Sequence, residues 1–86
     1  MRSGTQVVDE KPDWSPLETL FDMDVRSIDQ FMHMGRVGTL QLYKHRGTRR
    51  YLYIDAESGL FYENSDAGYV EVSKAHALGR VLSVDG

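Results

Sequence analysis

An α+β domain is predicted by two patterns in opposite halves of the 86-residue chain, and by the short connections within the second half. Residues 16–34 repeat apolar side chains at helical spacing, whereas residues 39–72 alternate them at strand spacing. The breaks within 39–72 are short clusters of Gly, Asn, Asp and Ser. Short connections make successive strands antiparallel neighbours, so the second half reads as a three- to four-stranded antiparallel meander with the helix on one face.

Ser15-Pro16-Leu17-Glu18 is a helix start. Ser15 can cap the first amides, Pro16 occupies a position where a missing N–H is harmless, and Glu18 completes a capping box. Leu17, Leu20, Phe21, Val25, Ile28, Phe31 and Met32 then share one face. Asp24 interrupts that stripe, and an unpaired carboxylate is costly to bury. Ser27-Ile28-Asp29-Gln30 supplies a second capping box. The segment is therefore expected to be a kinked helix or two short helices, turning near Asp22–Arg26 and stopped by Gly35 and Gly38.

Strands are expected over Thr39–Arg46, Arg49–Ile54, Leu60–Asn64 and Tyr69–Val72. The first turn is Arg46-Gly47-Thr48. The next two, Asp55–Gly59 and Asn64–Gly68, each open with an Asx residue that can bond its own backbone and close with a glycine able to adopt positive φ. Ser73 is placed to cap a short helix over Lys74–Leu78, ended by Gly79, although this last segment with Val81-Leu82 also fits a strand. Residues 1–13 are read as a flexible tail and residues 14–86 as one small domain.

A chain of this length buries only about 60–65% of its unfolded surface, so its core is thin. Its composition, 41% hydrophobic and 27% charged, is that of a globular domain rather than a disordered one. With no cysteine there is no disulfide, no thiolate nucleophile and no Cys-ligated metal. The start, Met1-Arg2-Ser3-Gly4-Thr5, has no apolar stretch behind it and does not read as a secretory signal. No apolar run approaches the ~18 residues of a membrane span, so a cytoplasmic location away from membranes is expected.

The net charge of −3 conceals a segregation. Residues 1–35 carry −4 and residues 51–86 carry −4, whereas residues 36–50 hold Arg36, Lys44, Arg46, Arg49 and Arg50 with no acid. The basic block thus coincides with the first predicted hairpin. Strand alternation puts Leu40, Leu42, Lys44, Arg50, Leu52 and Ile54 on one face, taken as the core face. Thr39, Gln41, Tyr43, His45, Arg49, Tyr51 and Tyr53 fall on the other.

Aromatic rings beside cations suit single-stranded nucleic acid, because bases stack on the rings while the cations neutralise phosphates. The contact residues would be Arg36, Tyr43, Lys44, His45, Arg46, Arg49, Arg50, Tyr51 and Tyr53. The same composition suits a protein partner, since Tyr and Arg dominate interface hot spots, and two open sheet edges also allow a homodimer. Tyrosines equally serve as good strand formers on an exposed face.

Other signals have ordinary explanations. Gly35-Arg36-Val37-Gly38 matches a GxxG backbone clamp, but that clamp joins two helices, and here the motif reads as a helix stop before a strand. His33, His45 and His76 lack metal-ligand spacing, and the acidic stretches fail the EF-hand pattern. Met23, Met34 and Trp14 could edge a docking patch, although core packing explains most of these side chains. No nucleophile stands next to a base in a familiar spacing, and no phosphate loop is present. The sequence thus predicts a non-enzymatic binding module without a cofactor, contacting single-stranded nucleic acid through its Tyr/Arg hairpin. The alternative is a protein-binding adaptor or regulator that uses the same face or the acidic helix.

Overall fold

The computed structural model describes residues 12–83. In chain order the elements are α1 (Ser15–Leu20), α2 (Val25–Ile28), β1 (Phe31–Val37), β2 (Leu40–His45), β3 (Tyr51–Asp55), β4 (Phe61–Ser65), β5 (Gly68–Val72) and α3 (Lys74–Leu82). The strands form one antiparallel sheet in the order β1-β2-β3-β4-β5. The architecture is α+β, with a five-stranded meander where three to four strands were expected.

The N-terminal segment does divide into two short helices, but neither reaches residue 34. Asp13 Oδ1 accepts from the Ser15 amide at 3.0 Å, so the helix entry is held by Asp13 and not by a Ser15 cap. Pro16 lies in the first turn. Asp22 (φ +52) and Met23 (φ +64) take left-handed conformations, and the chain leaves α1 there. Asp24, the residue that broke the apolar stripe, precedes α2, where its Oδ2 accepts from the Ser27 hydroxyl at 2.8 Å. Val25, expected in the core, is 67% exposed.

The larger correction is β1. Phe31 and Met32 continued the helical stripe in sequence, but Phe31–Val37 is a strand. A short apolar run fits either period, and here tertiary pairing decides. Gly38 (φ +63) sits with Thr39 in the two-residue connection that sets Val37 against Leu40. Gly35 (φ +126) follows a register shift between His33 and Gly35, a bulge that takes up Met34. The two glycines read as a helix stop are therefore the bulge and the turn of a hairpin.

Beyond β3 the turns behave as their chemistry dictates. Asp55 accepts from the Glu57 amide at 3.1 Å and the Ser58 hydroxyl at 2.9 Å, and Gly59 (φ +78) closes the loop. In the next turn Ser65, not Asn64, accepts from the Ala67 amide at 3.2 Å. Ser73 caps α3 by accepting from the His76 amide at 3.0 Å. The helix runs past Gly79 to Leu82 and excludes the alternative of a final strand.

Leu17, Phe31, Tyr43, Leu52, Ile54, Ala77 and Val81 form the core, with Trp14, Phe21, Ile28 and Phe61 packed around it. These residues lie between the three helices and one face of the sheet. Glu63 ties β4 to α3 through His76 at 2.8 Å and Arg80 at 3.3 Å. The expected tail, residues 1–13, lies outside the described residues except for Pro12 and Asp13.

Gly79 lies inside α3 with open space where a Cβ would stand. Gly79→Ala should therefore raise stability by about 0.5–1 kcal/mol, read from urea unfolding. A pH dependence also follows. The His76 hydrogen bond holds the Glu63 carboxyl below its usual range, and bonds from the Thr39 hydroxyl and the Glu57 amide do the same for Asp55. Both groups ionise more readily folded than unfolded, so their stabilisation is complete above the ordinary carboxylate range. It is lost as the pH falls through and below about 4. The melting temperature should drop over that window, and Glu63→Gln with Asp55→Asn should flatten the drop.

Candidate binding surface

The β2–β3 register decides which hairpin residues are available. Leu42 pairs with Tyr53, Tyr43 with Leu52 and Lys44 with Tyr51. Residues directly opposite in an antiparallel pair share a face, so Tyr43 lies with Leu52 against the helices. Tyr51 and Tyr53 lie on the other side with Leu42 and Lys44. The sequence alternation thus places β3 correctly and inverts β2. Leu40, Leu42 and Lys44 leave the expected core face together, and of the three Leu40 alone is buried.

The inversion has a local cause. The connection comprises residues 46–50 rather than 46–48, because Arg49 is drawn out of the strand into a left-handed conformation (φ +67). Its amide donates to the His45 carbonyl at 2.8 Å. That shifts the pairing by one residue, and a one-residue shift exchanges the faces of a strand.

Tyr43 is fully buried, and its hydroxyl donates to the Asp13 carbonyl. Burial pushes its ionisation well above the usual tyrosine range, and the negative charges of Asp13 and Glu18 add to this. Gln41, expected on the exposed face, is 5% exposed, and its Oε1 accepts from His33 Nε2 at 2.7 Å. His45 packs edge-on against Phe31 with centroids 5.1 Å apart. Its Nδ1 accepts from the Gly47 amide at 3.2 Å and the Thr48 amide at 3.1 Å. A Cβ at residue 47 would stand 3.1 Å from the His45 ring, which explains a glycine there.

The basic residues separate. Arg46 Nε donates to the Asp29 carbonyl at 2.9 Å, and Arg50 Nη1 donates to the Arg80 carbonyl at 3.3 Å. Both side chains therefore turn towards the helical layer. Arg36 lies on β1 opposite Gln41, at the far end of the hairpin from residues 46–50. Lys44 stays with the tyrosines, its Nζ 5.9 Å from the Tyr51 ring centroid. Arg49 is exposed at the loop. Among the described residues, Lys44, Arg46, Arg49 and Arg50 take part in no ion pair.

The side of the sheet away from the helices carries a continuous aromatic band. Tyr51 and Tyr53 stack with centroids 5.9 Å apart and an interplanar angle of 20°. Tyr53 meets Tyr69 at 5.3 Å and 58°. Tyr62 pairs with Tyr53 on the same side, and Asn64 pairs with Tyr69. Partial burial raises the Tyr53 ionisation, reinforced by Tyr69 and Tyr51 and opposed by a hydrogen bond with Asn64 and by Arg80. The hairpin motif alone did not point to Tyr62 and Tyr69. Alternation within Leu60–Asn64 and Tyr69–Val72 carried that signal, because it puts Tyr62 and Asn64 on one side and Tyr69 and Glu71 on one side.

The clefts are shallow. One of about 340 Å³ lies between α1 and the β3–β4 connection and contains Asp55 and Lys74. The Asp55 carboxylate is already engaged by its own turn. Among the described residues no group of three or more His, Asp or Glu is placed to hold a metal ion, and no helix is long and apolar enough to cross a membrane. Comparison with protein-family models, curated proteins and solved structures found no match. Among the described residues, the fold and surface define a small α+β domain with one helix-covered sheet face and one tyrosine-rich open face.

The buried Tyr43 gives a direct test of the register. Tyr43→Phe keeps the ring but removes the bond to Asp13, and should cost about 1 kcal/mol. Tyr43→Ala empties a core position and should cost about 3–5 kcal/mol. Both are measured by chemical unfolding, and a solvent-exposed Tyr43 predicts little change for either.

Proposed function

We propose that the protein is a non-enzymatic binding module whose open sheet face takes up single-stranded nucleic acid. The observation that carries this reading is the band Tyr51–Tyr53–Tyr69 on the helix-free face, with Lys44 beside its Tyr51 end. Base stacking on tyrosine contributes about 1–3 kcal/mol per base and tolerates any sequence, because every base has a π-face. Tyr51 and Tyr69, the ends of the band, are the stacking platforms. Lys44 and Arg49 are the cations for the backbone, whereas Arg46 and Arg50 hold the loop in place. Tyr43 and His45, as core and loop residues, support the face from behind.

A second reading, a protein partner on the same face, is favoured by the direction of the arginines. Arg46 and Arg50 lie towards the helices, and Glu71 shares the tyrosine side. A polar-rimmed tyrosine surface with few cations suits a protein better than a polyanion.

Fluorescence anisotropy with a mixed-sequence single-stranded oligonucleotide at low salt separates the two. Nucleic-acid binding should weaken with salt at a log–log slope of about −0.7 per phosphate contacted, hence about −1.4 for Lys44 and Arg49 together. Tyr51→Ala and Tyr69→Ala should each weaken binding by about 1–3 kcal/mol without unfolding the domain. An absence of any anisotropy change at low salt overturns the nucleic-acid reading and leaves the protein-partner reading in place.

A further inference from the structure

Among the described residues, β5 is an edge of the sheet and pairs with β4 alone. An edge strand presents unpaired N–H and C=O groups, and chains blunt such edges with bulges, prolines or lysines. The opposite edge, β1, has a bulge between His33 and Gly35. β5 has no bulge, and the one charge it carries against edge pairing is Glu71, on the tyrosine side of the sheet. Gly68-Tyr69-Val70-Glu71-Val72 contains neither proline nor lysine and pairs with β4 without a register shift. Tyr69 and Val70 are 38% and 37% exposed. Val70 pairs with Glu63 and so lies on the helix side, where α3 packs mainly against β3 and β4 and Val70 stays partly exposed.

We infer that β5 pairs antiparallel with β5 of a second copy of this chain, about a two-fold axis at Val70, to make one ten-stranded sheet. The register follows from charge and overlap. A two-fold pairing sets one residue against itself, because facing residues must share a side of the sheet. Centring on Glu71 opposes two carboxylates, which is destabilising. Centring on Tyr69 leaves the end of β5 beyond the partner strand. Centring on Val70 pairs all five residues: valine meets valine on the helix side, and Tyr69 of each copy meets Glu71 of the other on the open side. The exposed valines then cover one another, and the two carboxylates lie apart. The two tyrosine bands also meet at the axis. The pairing itself is independent of the ligand proposed above.

The chain has no native cysteine, so a single introduced one can cross-link only to another copy. The full chain is examined by sedimentation equilibrium up to about 1 mM, because an interface of this size is at the weak end of the range. A reversible monomer–dimer equilibrium is expected. Val70→Cys should oxidise to a disulfide dimer at least about tenfold faster than Glu71→Cys, since only the residue on the axis meets the Cα separation that a disulfide requires. Circular dichroism confirms that both variants are folded. Tyr69→Glu places like charges opposite one another and should give monomer, whereas Tyr69→Lys faces Glu71 and should keep the dimer. A strictly monomeric chain at 1 mM overturns the inference. So does a dimer in which Val70→Cys cross-links no faster than Glu71→Cys, because association then uses another surface.

Discussion

Tyr43 lies opposite Leu52 across the β2–β3 hairpin, and both sheet faces take their character from that pairing. Side chains alternate along a strand, so one pair in register commits every other residue of both strands. With Tyr43 inward, Gln41 and His45 follow it towards the helices, while Leu42 and Lys44 join Tyr51 and Tyr53 outside. The buried phenol reaches the Asp13 carbonyl, which anchors the entry to α1 over the sheet. Trp14 then packs on the same ring with centroids 5.8 Å apart. A single register thus sets the core, the seat of the first helix and the composition of the open face.

The loop that enforces this register is held by polar contacts rather than by glycine geometry. Gly47 is not the residue with positive φ; Arg49 is. His45 receives two loop amides, and Thr48 donates to the Val81 carbonyl at 2.6 Å while accepting from the Arg50 amide at 3.2 Å. Arg46 and Arg50 clasp carbonyls at Asp29 and Arg80, joining the loop to the α2–β1 corner and to α3. Two of the five basic residues, Arg46 and Arg50, thus hold the loop in place. A guanidinium that binds a backbone carbonyl keeps its charge, but its head lies on the helical side and contributes less to the field over the tyrosines.

The fold was legible where local chemistry decides. Ser73 as a helix cap, the Asp55 turn closed by Gly59 and the break before Asp24 each depend on contacts within a few residues, and residue type alone reports them. β1 was not legible. Phe31-Met32-His33-Met34 satisfies helical spacing after Ile28, and its strand character arises from pairing with β2. The candidate surface divides in the same way. Tyr51 and Tyr53 were legible as an outward pair, because Leu52 and Ile54 between them are apolar. Tyr43 was not, because its side depends on how many residues the hairpin loop after it consumes. An arginine in a left-handed conformation leaves no mark in the sequence.

By itself the sequence determined the class of fold, the antiparallel order of the strands and the tyrosine and arginine content of the hairpin. Periodicity, turn chemistry and loop length are local properties, and they act before any tertiary contact forms. Only the tertiary structure decided which tyrosines are buried, that Phe31–Val37 adds a fifth strand, and that Arg46 and Arg50 turn to the helical side while Lys44 stays beside the tyrosines. Those outcomes rest on the register of one strand against another and on packing against α1 and α3. Register is a long-range quantity, and a shift of one residue exchanges the faces without altering the hydrophobic pattern of either strand.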